Sequence, residues 1–278
     1  MLVLGMMGDR PKARQFIERP LVYLDHWAWM DLADNEALGQ RFVTGIALKS
    51  GTVAWSQLSW LECADVADLD RLGRMEVLMR RLERRLFFID FYPRVVQERL
   101  EAVGEHGDES VILGDTRAFD HYVGHFRSGI DPLDPELYLT YLRSPGVAEV
   151  ILQARAVLES GWTEAVEAAR VLAETDEGRR ELLRRSTASR SRFPVWPVYQ
   201  AALYQATNTG MNASDVRHAR DFFHMVVPLA SCDLVVLDKN GKERSRQIQS
   251  ELRGKGTLSL EATVVSTLPD ALSWIEAA

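Results

Sequence analysis

Short apolar runs separated by longer stretches of helical periodicity organise this chain. The runs are too apolar for edge strands, so each predicts a buried strand. They lie at 21–24, 52–55, 86–89 and 234–237. The alternation of strand and helix through residues 21–103 predicts a parallel sheet with helices on both faces.

The remaining local patterns are less regular. Residues 1–20 show no clear period and are expected to be an irregular lead-in. Ser214 is a suitable cap for a helix that ends at or near Pro228, and 239–241 reads as a turn. Helices are predicted at 36–48, 70–85, 93–103, 243–252 and from Pro269 onward, and a last small strand at 263–266.

The middle of the chain departs from this alternation. Residues 136–210 read as almost wholly helical, with breaks near Pro145, Gly161 and 194–197. We interpret 104–200 as a large all-helical insertion in an α/β core whose two halves are 1–103 and 201–278. A separate helical domain is the alternative, because Pro194 and Pro197 can mark a linker.

Composition narrows the class of protein without choosing a function. The 278 residues are 46% hydrophobic and 26% charged, as in soluble globular proteins. The net charge of −7 argues against nucleic-acid binding through overall charge but leaves a local basic patch open. Two cysteines, no signal-peptide pattern and no apolar run long enough to span a bilayer predict a cytoplasmic protein without membrane contact.

Four acids stand out by position. Asp25 and Asp238 each follow a predicted buried strand, Glu62 lies on the helix after the second strand, and Asp215 lies in a first helical turn. Sites in open α/β sheets form at the carboxyl ends of strands. Clustered carboxylates need a counter-charge, and Mg²⁺ or Mn²⁺ prefers oxygen ligands. The four acids are therefore predicted to hold such a metal and to catalyse phosphodiester hydrolysis.

Three segments resemble the motif segments of PIN-like nucleases. They are LVYLDHWAWMDLA at 21–33, WSQLSWLECADV at 55–66 and SDVRHARDFFHMVVPLASCDLVVLD at 214–238. The resemblance implies a three-layer α/β/α PIN-like core with a short, mainly parallel sheet. It implies a Mg²⁺- or Mn²⁺-dependent endoribonuclease, a class often found among bacterial toxins and defence components.

The same resemblance implies partners and site residues. The partners are an RNA substrate, single-stranded or structured, and an antitoxin or other regulatory protein. Asp25, Glu62, Asp215 and Asp238 match the family's acids, and Asp233 matches an acid seen ahead of the last motif strand in longer members. The helical middle is much longer than in a minimal PIN domain, so the substrate class does not carry over.

Each acid also has a structural interpretation. Asp25 can cap the helix that follows it, and Asp238 can belong to the turn at 239–241. Asp65 lies one turn after Glu62 on the same helix face and rivals it as the second acid. Asp215 can complement the helix dipole alone. Asp233 is expected to hydrogen-bond the turn before its strand rather than to bind metal.

A basic run supplies the candidate RNA surface. It consists of Arg179, Arg180, Arg184, Arg185, Arg190 and Arg192, ahead of Phe193 and Trp196. Arginine binds phosphate bidentately and aromatic rings stack on unpaired bases, so Arg184 and Arg185 are candidate substrate contacts. A solvated helix face explains the run equally well. His218, three residues after Asp215, is a further candidate contact with a structural role as its alternative.

Several alternatives stay open from the sequence. A DNA nuclease with the same acidic site is one. A catalytically inactive PIN-like module that binds RNA or protein is another. The helical middle can recognise substrate, form a homodimer or cover the site.

Overall fold

The computed structural model describes residues 2–7, 10–104, 106–119, 145–187, 192–208, 216–254 and 260–277. The strands are β1 (Leu2–Met7), β2 (Arg10–Gln15), β3 (Leu21–Leu24), β4 (Thr52–Trp55), β5 (Leu86–Phe88), β6 (Leu234–Val236) and β7 (Thr263–Val265). The helices of the first half are α1 (His26–Asp34), α2 (Glu36–Leu48), α3 (Gln57–Asp65), α4 (Leu69–Arg81), α5 (Pro93–Val103) and α6 (Glu109–Leu113). Those that follow are α7 (Pro145–Ala173), α8 (Asp176–Thr187), α9 (Val195–Asn208), α10 (Val216–Ser231), α11 (Lys239–Gly254) and α12 (Leu268–Ala277).

A five-stranded parallel sheet forms the centre of this mixed α/β fold, with strand order β5-β4-β3-β6-β7. The chain steps outward from β3 through β4 to β5, then returns to the other side of β3 as β6 and continues to β7. The strand order therefore reverses between β3 and β6. In open parallel sheets, the crevice at the carboxyl ends of such a pair is where ligands bind.

The junction between β3 and β6 is held at both ends. At the carboxyl end, the backbone N–H of Asp25 donates to Val236 O at 2.9 Å. At the amino end, Asp233 Oδ2 accepts from Leu21 N at 2.6 Å and pairs with Arg19 at 2.9 Å. Asp233 therefore has a structural role, as expected. It accepts its hydrogen bond from Leu21 of the neighbouring strand β3, however, and not from the turn before its own strand.

The expectations for residues 1–20 and for residues 239–241 are wrong. Residues 1–20 are not wholly irregular, because β1 pairs with β2 in an antiparallel hairpin. The alternating cations and the proline of β2 (RPKARQ) hide its strand character in the sequence. Residues 239–241 are not a turn but the start of α11, because Asp238 Oδ1 accepts from Gly241 N at 2.6 Å and caps the helix.

The helical segment packs directly on the α/β core. Helix α7 contacts α3 and α10, and Trp162 of α7 lies 4.5 Å from Phe222 of α10 between ring centroids. The break predicted at Gly161 is absent, because α7 runs straight through it. A single helical glycine costs only about 1 kcal/mol, too little to end a well-packed helix. Residue 200, the predicted end of the insertion, lies inside α9.

None of the helices in the described ranges is both long and apolar enough to cross a membrane.

Two buried acids, Asp90 and Asp115, form backbone hydrogen bonds at the end of β5. Asp90 N donates to Leu113 O, and Asp115 N donates to Phe88 O, each at 2.8 Å. Asp90 lies just after β5, much as Asp25 follows β3, and pairs with Arg99 at 3.1 Å. This ion pair gives Asp90 a structural role. Burial raises the pKa of Asp115 to about 6, and the nearby charge of Asp90 adds to the rise. Ionised Asp115 is therefore a cost to folding at neutral pH.

We expect Asp115→Asn to stabilise the fold at pH 7.5. The pKa of Asp115 is about 6 in the folded state and near 4 in the unfolded chain. Ionisation of Asp115 therefore destabilises the fold progressively as the pH rises from about 4 to above about 6. The amide oxygen can still accept from Ala118 N, as the carboxylate does at 2.9 Å. Urea unfolding should show a gain of roughly 1–3 kcal/mol at pH 7.5 that fades toward pH 4. A gain independent of pH would contradict this origin.

Candidate metal centre

Three ionisable side chains converge at the carboxyl edge of the sheet. Asp25 follows β3, Glu62 lies on α3 and His224 lies on α10. One oxygen or nitrogen atom from each lies within 4.8 Å of those from the other two. We call this group the acidic trio. It lies beside the β3–β6 junction, where the strand order reverses.

Each member is positioned by a different element. Asp25 Oδ1 accepts from His26 N at 2.7 Å and so caps α1. The structural and functional interpretations of Asp25 are thus compatible. Glu62 lies on the helix that directly follows the buried strand β4. His224 is 3% exposed, and its Nδ1 is hydrogen-bonded to the Tyr23 hydroxyl of β3.

Three buried polar atoms at the trio, one each from Glu62, His224 and His26, lack regular hydrogen bonds. His224 Nε2 lies 3.1 Å from Glu62 Oε2, and His26 Nδ1 lies 4.0 Å from the same oxygen. The contact between His224 and Glu62 is an ion pair that lacks regular hydrogen-bond geometry, and Nδ1 of His26 has no hydrogen-bond partner among the described residues. Buried polar atoms in folded proteins nearly always have one. The arrangement suits a further ligand at this point.

The electrostatics of the trio are dominated by burial and by its own charges. Burial raises the pKa of Asp25 to about 6, against the attraction of His224. Burial opposes the charged form of His224, but Glu62 and then Asp25 raise its pKa to about 9. Burial would also raise the pKa of Glu62, yet His224, His26 and Arg220 together outweigh it and the net pKa is lowered. At neutral pH an imidazolium therefore compensates two carboxylates.

The donor set of the trio fits a divalent metal ion. Two carboxylates suit Mg²⁺ and Mn²⁺, whereas an imidazole nitrogen favours a transition metal, so the combination fits Mn²⁺ better than Mg²⁺. When Nδ1–H of His224 donates to the Tyr23 hydroxyl, Nε2 is left as the ligating atom and the orientation of the ring is fixed. Binding through Nε2 displaces a proton, because ligating histidine is neutral.

The structure brings Asp25 and Glu62 together and separates Asp65 from them. Asp65 pairs with two arginines outside the trio. Asp238 is exposed and also lies outside the trio, with Oδ1 engaged by Gly241 N. Its charge nevertheless contributes to the raised pKa of Asp25, so it lies near the rim of the site. Metal ligation by Asp238 stays a prediction.

The other predicted site residues are not in the trio. Asp215 lies outside the described residues, as do the side chains of His218 and Arg185. Arg184 is exposed on α8 and pairs with Glu181 at 2.6 Å. Helix α8 packs mainly on α7 and α9. Substrate contact by Arg184, Arg185 or His218 remains a prediction.

Sequence reasoning missed His224. A signal was present, because the histidine stands in FFHMVVPLA, a stretch apolar on every side of the helix. A helix with this pattern is buried, and a buried histidine needs a charged or hydrogen-bonding partner. The partner itself comes from other elements and is not visible in the local pattern.

Comparisons of the chain with family models, with curated proteins and with solved structures gave no match. The likeness to PIN-like nucleases therefore rests on the chain's own motifs.

We expect Mn²⁺ to stabilise the wild-type fold. A ligand at 100 times its dissociation constant adds about 2.7 kcal/mol to the unfolding free energy. Thermal unfolding in chelator and in Mn²⁺ should show this as a raised midpoint. Glu62→Gln should abolish the rise, since it removes a charged ligand from the trio.

Glu181→Gln is the matched control, because it removes an acid from α8 and should keep the rise in midpoint. An unchanged rise in Glu62→Gln would show that the metal binds elsewhere.

Proposed function

We propose that this chain is a divalent-metal-dependent nuclease that hydrolyses RNA phosphodiester bonds on a PIN-like α/β core. The observation that carries the proposal is the convergence of Asp25, Glu62 and His224 at the reversal point of a parallel sheet. A partly buried site with two carboxylates and buried polar atoms that lack regular hydrogen bonds is suited to a cation.

The residues of the chain take distinct parts in this proposal. Asp25, Glu62 and His224 hold the metal, with Tyr23 fixing the imidazole. A bound divalent metal supplies Lewis-acid stabilisation of phosphate charge and lowers the pKa of a coordinated water. Asp238 is solvent-exposed near Asp25, so it is the carboxylate placed to orient an incoming water and accept its proton.

Topology and motif order support the PIN-like assignment. The three resembling segments contribute β3 with Asp25, α3 with Glu62, and α10 with β6 and Asp238. These elements are neighbours in the fold, since β3 lies between β4 and β6. The choice of RNA over DNA rests on the resemblance alone, so the experiment must offer both.

We expect metal-dependent cleavage of labelled single-stranded or structured RNA. Wild type should cleave in Mn²⁺, more slowly in Mg²⁺ and not in chelator. Asp25→Asn retains an N-cap side chain but loses a charged ligand, so its rate should fall by at least about 100-fold. Glu62→Gln should fall similarly, and Glu181→Gln should match wild type. Gel analysis of timed aliquots gives all four rates.

Other outcomes distinguish the alternatives. Cleavage of DNA oligonucleotides but not RNA would correct the substrate class and leave the site in place. RNA binding without cleavage, together with a melting midpoint unaffected by Mn²⁺, would favour a catalytically inactive PIN-like binding module.

A further inference from the structure

Two arginines from different helices meet on one carboxylate beside the acidic trio. Arg155 of α7 contacts Asp65 Oδ1 at 2.6 Å, and Arg220 of α10 contacts Asp65 Oδ2 at 3.2 Å. Arg155 also donates to Leu61 O at 3.4 Å. We call Arg155 and Arg220 the arginine pair. Asp65 holds both guanidinium groups in place.

The arginine pair borders the candidate metal centre. Asp65 lies three residues after Glu62 on α3, and Arg220 lies four residues before His224 on α10. These spacings place each pair on one helix face. The charge of Arg220 also contributes to the lowered pKa of Glu62, after the contributions of burial and of the two histidines.

The arginine pair carries more positive charge than Asp65 neutralises. Two guanidinium groups share a single carboxylate, which leaves one positive charge in excess at this contact. The buried Nε of each arginine has no hydrogen-bond partner within the part of the chain that the structure describes. The side chains of Arg155 and Arg220 are 23% and 22% exposed, so the pair lies at the surface beside the metal centre. Phosphate matches this geometry, because guanidinium groups bind its oxygens bidentately.

We propose that Arg155 and Arg220 form a phosphate subsite beside the metal centre. It takes a backbone phosphate of the RNA strand flanking the scissile bond. This inference rests on the proposed nuclease function. It gives the helical segment a part in substrate recognition through Arg155 of α7. It also makes Asp65 a competitor, since its carboxylate occupies the donors that the phosphate needs.

The first test measures RNA binding with chelator present, so that no cleavage occurs. The probe is a fluorescent single-stranded RNA of about 12 nucleotides, followed by anisotropy over a range of salt. Arg155→Gln and Arg220→Gln should each weaken binding roughly tenfold, as expected for a charged hydrogen bond. Each should also lower the slope of log K against log salt by about 0.7.

Asp65→Asn separates a subsite from a structural tether. It breaks the same ion pairs as the arginine variants, so all three should lower the melting midpoint alike. A subsite predicts that Asp65→Asn tightens RNA binding several-fold while the arginine variants weaken it. A tether alone predicts that all three change RNA binding in the same direction, and that result would overturn the proposal.

Two further variants complete the design. Arg184→Gln removes an arginine paired with Glu181 on α8, the other predicted substrate surface, and tests whether that surface carries the RNA binding instead. A loss with Arg184→Gln but not with Arg155→Gln would place the RNA surface on α8 and refute the subsite. If Arg155→Gln does not fold, Arg155→Lys keeps the charge, loses the bidentate contact and should bind with intermediate affinity.

Cleavage in Mn²⁺ is scored separately, so the two proposals fail in different ways. RNA binding that depends on the arginine pair, without any cleavage, would support the phosphate subsite and refute the nuclease function. Metal-dependent cleavage, with arginine variants that bind like wild type, removes the subsite alone. Absence of RNA binding by wild type at any salt concentration also overturns the subsite.

Discussion

The parallel pairing of β3 with β6 is the constraint on which the site depends. It joins residues 212 positions apart, through Asp233 at the amino edge and Asp25 at the carboxyl edge. A slip of one residue would turn every side chain of β3 to the other face of the sheet. Tyr23 would then lose His224, and Asp25 would leave the end of β6. Asp233 thus secures the register from the edge opposite the chemistry.

The buried charges of the acidic trio follow from this arrangement. Glu62 is brought close enough to Asp25 to add to the rise in the pKa of Asp25, and His224 of α10 supplies the compensating charge. Burying ionised groups is costly even when they are paired. The fold retains a locally unfavourable cluster where a polar ligand can relieve it, which is typical of functional sites.

The sequence separation of the interacting residues explains which features could be predicted from the sequence. Strands β3 and β4 and helices α2 and α5 agree with expectation, because periodicity and capping are local. The choice between Glu62 and Asp65 was not decidable locally, since both lie on one helix face. In the structure Glu62 lies in the acidic trio, whereas Asp65 pairs with Arg155, which is 90 positions away. His224 was missed for the same reason, because its carboxylate partners belong to other elements. The first hairpin was missed because β2 lacks an apolar pattern.

The contact between Asp65 and Arg155 has a consequence for how helix α7 is coupled to the α/β core. One carboxylate fixes helix α7 to the core and at the same time sets the charge environment next to Glu62. A ligand that draws Arg155 away from Asp65 would therefore remove one of the contacts that hold α7 on the core, beside the contact of Trp162 with Phe222. By thermodynamic reciprocity, any loosening of α7 by such a ligand would be matched by an equal dependence of the ligand's affinity on the packing of α7.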